Sequence, residues 1–202
     1  MLEEKKAMMN FDDEQAQLIG TVEDLLKECS GTVWGKYKGD VTCRVVLEYI
    51  RRHLPKAYTV VGPNVYIQDN PVEFDLLVVD AQARPLDFTT AYRPDQVQRV
   101  MEIKKFGIIA EWGEKYDAKL RRLHEAIRSS LRDSQWVKAF YLSLTETINP
   151  VRKTSHRYGA KTKEILEQEP LPVRVYILHD LGQHENIKGE WGRFIADLIQ
   201  GL

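Results

Sequence analysis

Three charged side chains stand where a strand normally buries apolar ones. In EFDLLVVD, residues 73–80, Asp75 lies among apolar residues. In VMEIKK, residues 100–105, Glu102 and Lys104 interrupt a second apolar run. An unpaired buried charge is costly, so a chain avoids it, pairs it or gives it a cation. Strand side chains alternate faces with a period of two, which puts Glu102 and Lys104 on one side and Ile103 on the other. The same alternation places Asp75 with Glu73, Leu77 and Val79. If the two strands are neighbours, Asp75, Glu102 and Lys104 can converge at a sheet edge or fork. Two carboxylates completed by water and a backbone carbonyl make a hard oxygen site suited to Mg²⁺ or Mn²⁺. Such an ion stabilises charge on a phosphate and lowers the pKa of a bound water. A lysine two residues on can contact that water and the phosphate oxygens. The chemistry to expect is phosphodiester hydrolysis. The plainer alternative is a cross-strand Glu102–Lys104 pair on a solvated edge, with Asp75 starting a turn.

The elements that must position these residues follow from periodicity and breakers. Residues 1–30 read as an acidic, weakly amphipathic helical extension, with Gly20 a potential break, packed on the domain or on a partner chain. Residues 31–202 form the domain. A helix is expected from about Asp40 to Leu54, stopped by Pro55, with Cys43, Val46, Leu47, Ile50 and Leu54 on its apolar face. Extended runs follow at YTVVG, VYIQD and EFDLLVVD, then a polar loop or hairpin, then VQRVMEIKK. Trp112, Tyr116, Leu120, Leu123, Ile127 and Leu131 mark one face of a long helix. WVKAFYLSLTE and the nearly continuous apolar VRVYILHD are strands, the second covered on both faces. WGRFIADLIQGL closes as a helix. This order predicts an α/β fold with a mixed central sheet flanked by helices.

Asp75 followed by Glu102-Ile103-Lys104, set on consecutive apolar strands before a long helix, resembles the PD-(D/E)XK, or restriction-endonuclease-like, nuclease superfamily. The order α-β-β-β-α-β is similar to that family's common core, and KGDVTCRVVLEYIRRHLP and PDQVQRVMEIKK are similar to stretches of its bacterial members. The resemblance implies a Mg²⁺- or Mn²⁺-dependent endonuclease acting on DNA, with RNA left open. It implies metal held by Asp75 and Glu102, water oriented or activated by Lys104, and a homodimer where two strands must be cut. Phe74 stands where the motif name has proline. Glu73 and Asp40 are accessory carboxylates, although an exposed strand start explains Glu73 and a helix N-cap explains Asp40 equally well. The competing class is a catalytically inactive nuclease fold that binds nucleic acid or a protein partner.

VRKTSHRYGAKTK, residues 151–163, holds Arg152, Lys153, His156, Arg157 and Lys161 with Tyr158 and no acid. It suits either a DNA-facing loop, by phosphate neutralisation and base stacking, or an ordinary exposed loop. HEAIR, from His124, lacks the second histidine of a zinc helix, and Gly31 and Gly35 lack the Lys-Ser/Thr of a phosphate loop. The formal net charge of −1 means any basic surface is local. Cys29 and Cys43 make neither a metal cluster nor a disulfide framework, which fits a reducing cytoplasm. An acidic N-terminus and the lack of a long apolar run point to a cytoplasmic protein without a membrane span.

Overall fold

The computed structural model describes residues 10–28, 35–106, 114–131, 137–145, 165–167, 173–180 and 185–202. Helices α1 (Phe11–Glu28) and α2 (Gly35–Arg51) precede strands β1 (Tyr58–Val61), β2 (Val65–Ile67), β3 (Glu73–Phe74) and β4 (Leu76–Asp80). After β5 (Ala91–Tyr92) and a 3-10 turn at Pro94–Gln96 comes the long strand β6 (Val97–Phe106). Helix α3 (Glu114–Leu131) leads to β7 (Lys138–Thr145), β8 (Val173–Ile177), β9 (His179–Asp180), β10 (Glu185–Asn186) and α4 (Glu190–Ile199).

The main sheet runs β1-β4-β6-β7-β8. Its first half is antiparallel, β1 to β4 to β6, and its second half is parallel, β6 to β7 to β8. Parallel neighbours need a crossover, and α3 lies in the connection from β6 to β7. A bulge opposite Val78/Val79 inserts one residue into β6 before the charged stretch. A second sheet, β3-β2-β5, stands beside the first.

Each face of the main sheet has its own core. Under one face pack Leu18 and Val22 of α1, Val46 and Ile50 of α2, and Trp191, Phe194 and Leu198 of α4. Under the other lie Val65, Ile67, Phe74 and Tyr92 of the small sheet with Ile127 and Leu131 of α3. Adjacent residues of β4 therefore belong to opposite cores: Leu76 and Val78 to the first, Leu77 and Val79 to the second. The arrangement is the mixed α/β fold expected from the order of elements.

Several boundaries differ from the sequence reading. α1 runs unbroken through Gly20, because its apolar residues continue at helical spacing on both sides of the glycine. α2 begins at Gly35, so Asp40 lies inside the helix and is not its N-cap. The loop after β4 contributes β5, which pairs parallel with β2 and buries Tyr92. The run 173–180 is interrupted at Leu178, after which β9 turns to pair with β10. Among the described residues no helix is long and apolar enough to cross a membrane.

Candidate active site

The run 73–80 is two strands with a bend at Asp75. The ladder between β4 and β6 ends at Leu76↔Met101, whereas β6 continues beside β7 as far as Phe106↔Thr145. β3 has turned away to pair with β2. Asp75 thus sits at a fork, where β6 has lost its antiparallel partner. Its Oδ2 accepts the backbone N–H of Ile103 at 2.7 Å. A side-chain carboxylate there replaces a missing strand carbonyl, so the Ile103 N–H is not orphaned.

Met101 and Ile103 enter the core beneath α1, α2 and α4, and Val100 enters the opposite one. Glu102 and Lys104 share the parity of Val100. The Lys104 Nζ lies 3.4 Å from Asp75 Oδ2 and closer still to Glu102 Oε1, to which it donates. The three side chains are 24% (Asp75), 16% (Glu102) and 29% (Lys104) exposed, a half-enclosed cluster open on one side. Lys105, on the other parity, lies among the charges of Glu23, Lys38 and Lys27 of α1 and α2.

The cluster carries two negative charges and one positive. Burial pushes the Glu102 carboxyl above its ordinary value, Lys104 pulls it back, and Asp75 pushes it up again, with a net upward shift. Burial pulls Lys104 down, but Glu102 and then Asp75 outweigh it and raise its pKa. The rise at Glu102 is first a cost of burial, whereas the rise at Lys104 comes from two carboxylates facing one ammonium, a charge balance that an added cation would improve. Cys43 of α2 feels the same field. Burial first, then the Asp75 charge, with smaller contributions from Glu102 and Asp40, push its thiol well above the usual range despite Lys104.

The accessory candidates lie nearby in different settings. Asp40 is half-buried on α2, and its Oδ1 accepts from Asn64 Nδ2 at 3.3 Å. Glu73 is exposed and accepts a hydrogen bond from the Tyr66 hydroxyl, and its charge adds to the rise at Glu102. The basic candidates Arg152, Lys153, His156, Arg157 and Lys161 lie outside the described residues, as does Cys29.

The sequence reading missed the Gly62-Pro63-Asn64 turn between β1 and β2. Gly62 adopts φ +144°, and a Cβ there would stand 2.4 Å from the carbonyl oxygen of Asp75. Asn64, at φ 61°, ties the same turn to Asp40. The signal was present, since Gly-Pro-Asn is a strong turn marker, but nothing local says which strand the turn presses against.

Asp75 and Glu102 bring hard oxygen donors to one ammonium-sized position, a donor set that fits Mg²⁺ or Mn²⁺ with water and phosphate completing the shell. Among the described residues no group of three or more His, Cys, Asp or Glu side chains is arranged to hold a metal. The protein side of such a site would be these two carboxylates.

Solved structures that share this fold include two forms of NucC. The cAAA-bound form of NucC from P. aeruginosa ATCC27853 matches with a TM-score of 0.55 at 14% identity, over 93% of this chain and 87% of that one. The cAAA-bound form of NucC from E. coli MS115-1 matches with a TM-score of 0.56 at 15% identity, over 93% and 86%. At these identities the likeness is one of fold. No protein-family model matches the chain, and no curated protein does.

Proposed function

We propose that the chain is a divalent-metal-dependent nuclease that hydrolyses DNA phosphodiester bonds at the fork. Convergence of the Asp75 and Glu102 carboxylates on Lys104 Nζ carries this reading. The nuclease-like fold shared with NucC supports it at the level of architecture. Asp75 and Glu102 are the residues that would hold Mg²⁺ or Mn²⁺, which when bound would supply charge neutralisation at the phosphate and lower the pKa of a water. The Asp75 carboxylate is fixed by the Ile103 amide, so its free lone pairs are aimed before substrate arrives. Lys104, kept charged by its two carboxylates, donates to the attacking water and to a non-bridging phosphate oxygen. Asp40 and Glu73 lend further negative charge at the rim, and the acid-free basic composition of residues 151–163 suits a phosphate backbone.

The test is plasmid cleavage with Mg²⁺ or Mn²⁺ by the wild type, Asp75→Ala and Lys104→Ala. Each substitution is expected to lower the rate by at least about 100-fold, the scale of a lost positioned catalytic group. Equal cutting by all three proteins would remove the assignment. Salt-sensitive DNA binding by the wild type without metal-dependent cutting would favour a binding module instead.

A further inference from the structure

Phe88 is 109% exposed, far beyond Phe11 and Leu25 at 39%, the other exposed large hydrophobics among the described residues. Its backbone has φ 60°. Left-handed φ is uncommon outside Gly and Asn, and a bulky residue there is an outlier that surrounding structure must impose. The imposing structure is a compact turn. Thr89 donates its N–H (3.0 Å) and its hydroxyl (2.8 Å) to the Leu86 carbonyl. Leu86 N–H reaches the Ala91 carbonyl at 2.8 Å, and Ala91 N–H reaches Thr89 Oγ1 at 3.1 Å. The chain therefore holds an aromatic ring in solvent on a braced, strained support, at a position where glycine would serve the turn better. A lone exposed Leu or Phe needs no explanation, but this combination does.

The register of the small sheet places this ring. Tyr66 pairs with both Glu73 and Ala91, and Val65 pairs with Phe74. Going back from Ala91 toward Phe88 is therefore the same direction as going forward from Glu73 toward Asp75. The Tyr66 N–H to Thr90 carbonyl bond, 3.1 Å, continues that row. The Phe88 turn leaves β5 at the end of the small sheet where β3 reaches Asp75, with β2 between the two strands.

We propose that Phe88 is a base-contacting residue that stacks on, or wedges beside, a nucleobase of the same nucleic acid whose phosphate is held at the fork. The proposal rests on the nuclease reading of that site. A single ring suits this partner: one base face covers it, and stacking is tolerant of sequence. A protein partner or second copy would need about 800 Å² per side with an apolar centre, whereas Phe88 is flanked by exposed Arg84, Asp87, Thr89 and Thr90. Arg84 and the threonine hydroxyls can instead meet phosphates and sugars.

The experiment uses the full chain, a short duplex with 2-aminopurine placed in turn at successive positions, and Ca²⁺ so that the duplex stays whole. Wild-type protein is expected to change 2-aminopurine emission at one or two neighbouring positions. Phe88→Ala is expected to abolish that change and weaken binding about tenfold, the scale of one lost stack, with unaltered thermal melting. Phe88→Trp is expected to bind as the wild type does and to show indole quenching by the duplex. Wild-type affinity and emission change in Phe88→Ala would overturn the proposal while leaving the nuclease reading intact. Failure of the wild type to bind any duplex would overturn both. Self-association of the wild type that Phe88→Ala abolishes, with DNA binding unchanged, would reassign the ring to a contact between copies.

Discussion

At Glu102 the surroundings disfavour the ionised form of the side chain. Burial and the Asp75 charge raise its pKa despite Lys104, so the native state keeps the proton more tightly than the unfolded chain. Linkage then fixes the direction. Below the ordinary value of 4.5 both states are protonated and Glu102 has no pH-dependent effect. As pH rises from there through the folded pKa, stability is lost. Glu102→Gln imitates the protonated form, so it should be more stable than the wild type to urea at pH 7, and this advantage should shrink toward pH 4.5. The same variant should lose metal-dependent cutting. A Gln variant less stable than the wild type at pH 7 would mean that the Lys104 pairing outweighs burial and like charge. A site that gains stability by losing its chemistry is the pattern expected where charge is stored for a ligand.

At the scale of elements, the fork is made by a strand that changes partners. β4 stays with β6 up to Leu76, and β3 leaves for β2, with Asp75 at the corner. The corner is pressed from outside by Gly62, whose Cα approaches the Asp75 carbonyl too closely for a side chain. Gly62→Ala adds a methyl group 2.4 Å from a backbone oxygen at a φ that alanine avoids. The expected cost is about 3 kcal/mol in urea unfolding, from strain plus a forced backbone shift. Cleavage should fall further than stability alone explains, because the shift moves Asp75 against Glu102. Wild-type melting and activity in Gly62→Ala would show that the turn yields freely and does not brace the corner.

At the scale of the whole molecule, α1 is bound to the rest by buried polar contacts as well as by its apolar face. Gln15 donates to the carbonyls of Leu178 at 2.7 Å and Ile187 at 3.0 Å, and accepts the Trp191 N–H at 3.0 Å. Beside it, the buried Glu14 accepts from Trp191 Nε1 at 2.9 Å and pairs with His53 at 2.7 Å. These two side chains join α1 to the turn after α2, to the end of the main sheet and to α4. Gln15→Ala removes three hydrogen bonds and strands the buried Trp191 N–H, while the Leu178 and Ile187 carbonyls keep the N–H groups of Ile187 and Glu190. A loss of about 1–3 kcal/mol is therefore expected in chemical denaturation. Metal-dependent cutting should be unchanged in protein that remains folded, since α1 lies on the opposite face of the sheet from Glu102 and Lys104. At the other end of α4, the buried Arg99 of β6 donates to the carbonyls of Leu198 and Gln200, closing the helix that Gln15 opens.

The alternation of charge and hydrocarbon in two short runs was legible in the sequence. It placed Glu102 and Lys104 on one face and Ile103 on the other, because a strand's period of two leaves no choice. The order of elements and the mixed sheet followed from breakers and periodicity in the same way. Local pattern is silent about partners more than a few residues away. It therefore read residues 73–80 as one strand, left Asp40 open between an accessory carboxylate and a helix cap, and found no role for Gly62, Gln15, Arg99 or Phe88. Tertiary structure alone decided that β3 leaves β6 at Asp75, that the Ile103 amide fixes that carboxylate, and that a turn from β1 braces the corner. The reason is physical: side-chain alternation is set within a strand, whereas a fork depends on which strands remain hydrogen-bonded to which.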